Sequence, residues 1–234
     1  MHPNTILRKE DCEVARTAEE LIDRIESVDA HFRVDDGIEK ELVKRFFEEI
    51  RPLRDLARHK YLGKTSIYLR PRIGNQNYDA EIIDRSSGKE NIAHVEIVNT
   101  HLDHDHALRM EYLGQHDGVF MSGPPAERVG TKASGGRVSI APGTVDHQEY
   151  LDDLIATIGA RTADKLSKPY PADTILAVVF DDSSLNPEDL LQLQLYFHDI
   201  LSKQALSKFC GVFILGVSGR TFWEFGETDF PRSC

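Results

Sequence analysis

Two acidic residues on neighbouring predicted strands, Asp79 and Glu96, are the strongest candidates for chemistry in this sequence. They lie in the stretch YDAEIIDRSSGKENIAHVEIVNTHLDHDH, in which two strand-like segments are joined by a turn. Two carboxylates on adjacent strands repel each other, and a hard divalent cation bound through carboxylate oxygens removes that repulsion. The pair therefore predicts a Mg²⁺ or Mn²⁺ site. The alternative is a solvated outer face of the sheet that carries acids because it is wet.

A second candidate metal site follows directly after the second strand, in the segment THLDHDH. Its possible ligands are His101, Asp103, His104, Asp105 and His106. Imidazole and carboxylate together suit Zn²⁺, Mn²⁺ or iron, so Zn²⁺ is the alternative cofactor here. The segment resembles the T-H-x-H-x-D-H loop of metallo-β-lactamase-fold hydrolases, with Asp103 where the second histidine belongs. The competing interpretation is a polar loop in which an aspartate caps a short helix that follows it.

The N-terminal part of the chain predicts helices that would flank these sites. Thr17 and Glu20 form a capping box for a helix over residues 17–28. A second helix is predicted to begin near Asp36, and Pro52 should kink or restart it because proline lacks the amide donor that a helix needs. The hydrophobic period then changes from helical to alternating, which indicates that a sheet begins.

Strands are predicted at residues 65–69, 78–84 and 92–98, with a turn at Ser86, Ser87 and Gly88. On these strands alternate residues share a face, so Asp79 is grouped with Glu81, and Glu96 with His94. The segment TILAVVF, from Thr174 to Phe180, is a continuous apolar run, as is typical of a strand covered on both faces.

The C-terminal 90 or so residues alternate between helix and buried strand, which predicts parallel strand pairing there. Asp146 and Asn186 are the predicted helix caps, and residues 221–225 a possible edge strand. The fold class is therefore α/β (α+β), with a mixed central sheet flanked by helices. We expect one domain over residues 1–234, in which a helical part (1–62) precedes a sheet-containing core (63–234), with a flexible insertion or small hairpin at 122–143.

Composition restricts the partners that the protein can have. The formal net charge of -11 argues against a large, sequence-independent nucleic-acid surface. From Glu39 to Arg72, however, the sequence contains ten Lys or Arg residues and only five acids. Such a basic stretch beside an acidic metal site would suit a phosphodiester substrate. Solvated helix faces give the same count. The sequence has no long apolar run and no signal peptide, which predicts a cytoplasmic protein without membrane contact.

The order of these elements resembles the PD-(D/E)XK, or restriction-endonuclease-like, nuclease superfamily, over about residues 37–182. Members have a helix, a three-stranded meander, a helix and a further strand. The resemblance implies that Asp79 and Glu96 are catalytic metal ligands, together with the Ile97 carbonyl. Where the family has lysine this chain has Val98, so the resemblance implies a lysine from elsewhere, such as Lys89 or Lys132. It also implies a possible acidic ligand on the preceding helix, for which Glu41 is the candidate.

Three functions remain open from the sequence. The first is a divalent-metal-dependent nuclease or phosphodiesterase that uses Asp79 and Glu96, with nucleic acid as a possible partner. The second is a catalytically inactive nuclease-like module for binding or assembly, because the lysine is missing and the net charge is negative. The third is a metallohydrolase centred on His101, His104 and His106.

Overall fold

A computed structural model describes residues 8–31, 40–100, 126–130, 137–140 and 146–226 of the chain. Its α-helices are α1 (Lys9–Cys12), α2 (Ala18–His31), α3 (Lys40–Arg45), α4 (Arg51–Leu56), α5 (His147–Leu166), α6 (Pro187–Tyr196) and α7 (Ser202–Ala205). Three π-helical turns, Phe46–Ile50, Ala57–Tyr61 and Phe197–Leu201, adjoin them. The strands are β1 (Ile67–Pro71), β2 (Ala80–Asp84), β3 (Asn91–Asn99), β4 (Ala126–Val129), β5 (Arg137–Ile140), β6 (Thr174–Phe180), β7 (Gly211–Gly216) and β8 (Phe222–Gly226).

Six of these strands form one mixed sheet in the order β1-β2-β3-β6-β7-β8. The first three are an antiparallel meander, β3, β6 and β7 are parallel, and β8 returns antiparallel at the edge. Strands β4 and β5 pair separately as a hairpin inside the predicted insertion. The predicted meander, the buried parallel strands and the small hairpin are thus confirmed.

Helices cover both faces of the main sheet, which confirms the predicted fold class. On one face, α2 and the α3–α4 region pack against residues such as Leu69, Ile82 and Val95. On the other face, α5 and α6 pack against Val98, Leu176 and neighbours on β6 and β7. Side chains that alternate along β3 therefore point into different helical layers, and Glu96 shares the α5 side with Val98.

Three helix starts follow the predicted capping chemistry. The Thr17 hydroxyl accepts from the Glu20 amide (3.3 Å), and the Glu20 carboxylate accepts from the Thr17 amide (3.0 Å). The Asp146 side chain accepts from the first amides of α5, and Asn186 does the same for α6. Each cap satisfies amides that have no partner inside the helix, which fixes where these helices begin.

Pro52 lies in the first turn of helix α4, in agreement with the predicted restart, although the chain remains helical on both sides of it. The π-helical turn Phe46–Ile50 ends just before it, and the Arg51 amide donates to the carbonyl of Phe46, five residues back. Helix α4 begins at Arg51, directly after this wider turn, so that Pro52 lies where the helix does not need its missing amide donor. Glu49 lies within this wide turn.

Several predictions fall outside the described residues. They are the helix start near Asp36, the histidine loop with His101, His104 and His106, and Lys132. Within the described residues, no helix combines the length and apolar character that a membrane span requires.

Candidate metal centre

Asp79 lies one residue before β2, where the strand is irregular. Its amide donates to the carbonyl of Val95 (2.8 Å), although Val95 is already the cross-strand partner of Ala80. Two residues therefore face one, as in a β-bulge, and the side chain of Asp79 is released from the regular alternation. Its Oδ2 accepts from the amide of Ile97 (2.8 Å), so the carboxylate is fixed against β3.

Glu96 lies on β3, one residue before Ile97, and only 5% of it is exposed. Its Oε1 accepts a hydrogen bond from the ammonium of Lys165, in the last turn of α5. Tyr170, in the loop after α5, also interacts with this carboxylate. A buried carboxylate needs a charged or hydrogen-bonding partner, and α5 and its following loop provide both.

Glu49 is a third acid beside this pair. It belongs to the π-helical turn on the opposite side of the sheet, and Nη1 of Arg45 lies 3.3 Å from its Oε2. The turn is joined to the end of β3 because the Asn99 side chain donates to the carbonyl of Glu48. Glu49 and Glu96 both act electrostatically on Asp79, so the three acids lie on neighbouring elements near the start of β2 and the end of β3.

Burial and mutual repulsion raise the pKa values of Asp79 and Glu49. Burial, followed by the charges of Glu96 and Glu49, raises the pKa of Asp79 from its ordinary value to about 8. Burial likewise raises the pKa of Glu49 to about 7, although Arg45 opposes the shift. Burial and the nearby Glu96 also raise the pKa of Tyr170. Perturbed acids that cluster at one place are characteristic of functional sites, and also of structural ion-pair networks.

The acids of this cluster carry oxygen donors, the type of ligand that hard divalent cations take. Asp79 and Glu96 supply carboxylates, and the Ile97 carbonyl lies on the same edge of β3 as its amide, which points at Asp79. Oxygen donors of this kind are what Mg²⁺ and Mn²⁺ prefer. The described residues contain no group of three or more His, Cys, Asp or Glu side chains that could hold a metal ion, so a site here depends on two side chains and the backbone.

The lysine that contacts the candidate acids is one that the sequence did not indicate. Val98, where the resemblance led us to expect a lysine, is buried on the α5 side of β3. Lys89 lies in the β2–β3 turn, at the other end of the hairpin from Asp79 and Glu96. Lys165 instead brings an ammonium to the Glu96 carboxylate.

Glu41, the predicted acid of the preceding helix, is not among the groups that act most strongly on Asp79. Glu41 is largely exposed and pairs with Arg45 at 3.2 Å, whereas Glu49 acts electrostatically on Asp79. Glu49 is half-buried within the π-helical turn, and no sequence pattern indicated that turn. Lys165 was missed for another reason: it is 69 residues from Glu96, and no spacing relates them.

Comparisons with known proteins give no family to which the chain can be assigned. No family model, curated protein or solved structure matches it.

Proposed function

We propose that this protein is a divalent-metal-dependent phosphodiesterase of the nuclease type, with its centre at Asp79, Glu96 and Lys165. The observation that carries the proposal is the contact of the Lys165 ammonium with the Glu96 carboxylate, beside an aspartate fixed to the next backbone amide. These are the three side-chain types of the PD-(D/E)XK motif, with lysine supplied by helix α5.

The topology supports the same proposal. A helix precedes the meander β1-β2-β3, helix α5 follows, and β6 then pairs parallel to β3. This is the order of elements that the restriction-endonuclease-like core has. Order alone indicates a fold rather than an activity, so the proposal depends on the side chains at the end of β3.

Asp79, Glu96 and the Ile97 carbonyl would hold the ion in this proposal. A bound Mg²⁺ or Mn²⁺ polarises a phosphodiester oxygen and lowers the pKa of a bound water. A divalent cation placed beside these acids would also oppose the burial and the neighbouring negative charges that together raise the pKa of Asp79.

The chain's own residues then position the reactants. Lys165 has three N–H donors, one of which goes to Glu96, so the others can donate to a phosphate oxygen or to the attacking water. Glu96 holds that ammonium in place, and Tyr170 in turn interacts with the Glu96 carboxylate. Placing donors in advance where negative charge develops is the general means by which such sites lower a barrier.

One observation favours the second candidate, a catalytically inactive binding or assembly module. The described residues lack a group of three side chains that could hold a metal. In that case the contact between Lys165 and Glu96 is a structural ion pair that compensates a buried carboxylate.

The deciding experiment measures Mn²⁺-dependent hydrolysis of bis(p-nitrophenyl) phosphate and of DNA and RNA by the wild type and Lys165→Met. The matched control is Lys168→Met, because Lys168 pairs with Asp164 on the exposed side of the same helix end. We expect Lys165→Met to lower the rate about 100-fold or more, with Lys168→Met unchanged. No metal-dependent hydrolysis by the folded wild type would refute the proposal.

A further inference from the structure

Strand β8 forms one edge of the main sheet, and among the described residues no strand lies on its outer side. On its inner side the amide of Gly216 donates to the carbonyl of Thr221, and every second residue from there bonds to β7. The amides and carbonyls of Phe222 and Glu224 therefore point away from the sheet. A row of such outward-facing donors and acceptors is a template for pairing with a further strand.

The opposite edge of the sheet, in contrast, is covered by the chain itself. Arg16 and Leu69 of β1 exchange two backbone hydrogen bonds, of 3.0 and 2.7 Å. Edge strands that must stay unpaired are usually protected by such a cover, or by proline, a bulge or a free charge. Strand β8 contains no proline and pairs with β7 in unbroken register, and its one charge, on Glu224, is neutralised by Lys60 at 2.5 Å. Its outer edge is thus open to a partner.

An apolar stripe on helix α6 lies beside this edge. Leu191 and Leu195 are one helical turn apart, share a face, and are 58% and 55% exposed. His198 follows three residues later, and its ring lies 6.3 Å from that of Phe225 on β8. The stripe therefore comes down to the sheet at its last strand. Residues 190–198 include no Asp, Glu, Lys or Arg.

The charge of the chain favours a second copy as the partner of this surface. The net charge of -11 makes two copies repel each other, and the repulsion is least where the surface is uncharged. The stripe and the neutralised edge of β8 together form such a surface. An antiparallel strand can also pair with its own copy across a two-fold axis, so that each copy supplies the donors and acceptors that the other needs.

We propose that β8 pairs antiparallel with β8 of a second copy, which joins two six-stranded sheets into one, and that the leucine stripes of both copies cover the junction. Charge selects the register of the pair. An axis at Trp223 places Phe222 of one copy opposite Glu224 of the other, whereas an axis at Glu224 would place two carboxylates opposite each other. Two strand edges alone bury less area than a stable dimer needs, so Leu191 and Leu195 are required.

The inference does not depend on the proposed function. Strand β8 is separated from β3 by β6 and β7, so Asp79 and Glu96 of both copies stay outside the interface. Loss of the dimer and loss of metal-dependent hydrolysis are therefore separate results.

Sedimentation velocity of the full chain over a wide concentration range tests the pairing. We expect the wild type to sediment with twice the mass of one chain. Glu224→Pro removes an outward amide and leaves the bonds to β7 intact, because proline is tolerated where the amide of an edge strand faces outward. Two-fold symmetry removes two hydrogen bonds at once, so the dissociation constant of the dimer should rise about 100-fold. Glu224→Thr is the matched control, since it loses the same ion pair with Lys60 but keeps the amide, and it should stay dimeric.

A second pair of variants leaves the backbone of β8 unchanged. Leu195→Glu places a charge in the stripe, whereas Val14→Glu places one on a side chain that is 46% exposed near Arg16, at the opposite edge. We expect only Leu195→Glu to weaken the dimer, by about tenfold or more. If Glu224→Pro does not fold, this pair of variants decides.

Hydrogen exchange of the wild type identifies the partner of the edge. The amides of Phe222 and Glu224 should exchange more slowly as the protein concentration rises. Protection that is independent of concentration would assign the edge to residues 227–234 of the same chain and overturn the inference. A wild type that is monomeric at all concentrations would overturn it too, as would a dimer whose affinity is the same in Glu224→Pro and Leu195→Glu as in the wild type.

Discussion

Lys165 and Glu96 are 69 residues apart in the sequence, yet the ammonium of the first donates directly to the carboxylate of the second. The last turn of helix α5 packs beside β3 and brings them together. No sequence pattern in either element predicts the contact. The pair joins the α5 layer to the sheet at the place where Asp79 contacts Ile97. It is therefore both a structural link and the proposed catalytic feature.

The pair should be strongly coupled in stability. Lys165→Met leaves Glu96 buried without its cation, so we expect the free energy of unfolding to fall by about 3 kcal/mol. The double variant Lys165→Met/Glu96→Gln should recover much of this loss, since no buried charge remains. Urea denaturation of the wild type, both single variants and the double variant measures the coupling. Additive effects of the two substitutions would show that the contact is not formed in solution.

The stability of the metal-free protein should decrease as the pH rises. The pKa of Asp79 is raised to about 8 and that of Glu49 to about 7, mainly by burial. Between the ordinary carboxyl pKa and these values the folded state binds more protons than the unfolded state, so raising the pH favours unfolding. The melting temperature in EDTA should therefore be lower at about pH 8 than at about pH 5.

Asp79→Asn should flatten this pH dependence because it removes the group with the larger shift. Asp84→Asn is the control, since Asp84 lies at the other end of β2 and accepts from Ser86 in the turn. Addition of Mn²⁺ at the higher pH should restore the melting temperature of the wild type but not of Asp79→Asn. A melting temperature that rises steadily over this interval would contradict the arrangement of acids.

The buried Asp182 anchors the β7–β8 turn, and Gly216 makes room for it. Asp182 is fully buried and accepts from the amide and hydroxyl of Ser218 and from the hydroxyl of Thr221. These contacts make Asp182 an anchor of the loop between β7 and β8. A Cβ on Gly216 would lie 2.2 Å from the Asp182 carboxylate.

Gly216→Ala should therefore lower the free energy of unfolding by about 2 kcal/mol or more, because the carboxylate is held by three donors and cannot move away. Gly74→Ala is the matched control, since its new Cβ would meet only the terminal amide of the Gln76 side chain, which a single hydrogen bond to the Arg72 carbonyl holds. We expect this control to change stability by less than about 1 kcal/mol. Chemical denaturation of both variants measures the difference, and equal effects would show that the Asp182 contacts are not rigid.

Local chemistry in the sequence predicted much of the fold. Thr17, Asp146 and Asn186 mark helix starts because each side chain satisfies free amides of its own helix, within three residues. The run from Thr174 to Phe180 identified a strand covered on both faces, since every residue in it is apolar or small. These interactions involve residues close together in the sequence, and the folded chain keeps them.

The site was predictable only in part because its contacts are not local. Asp79 and Glu96 were identified from adjacent strands, but the bulge that turns Asp79 toward Ile97 depends on the cross-strand register. Glu49 is half-buried in a π-helical turn that precedes Pro52, where the sequence indicated a kink or restart. Lys165 is held by the packing of a whole helix against the sheet. Contacts of this kind follow from tertiary structure and leave no spacing in the sequence.

The central claim is that Asp79 and Glu96 bind a divalent cation. Isothermal titration of the metal-stripped wild type, Asp79→Asn, Glu96→Gln and the control Asp84→Asn with Mn²⁺, Mg²⁺ and Zn²⁺ tests it most directly. The account predicts Mn²⁺ or Mg²⁺ binding by the wild type and Asp84→Asn that is lost in both Asp79→Asn and Glu96→Gln. Zn²⁺ binding that survives both substitutions, or binding of none of these ions, would contradict it.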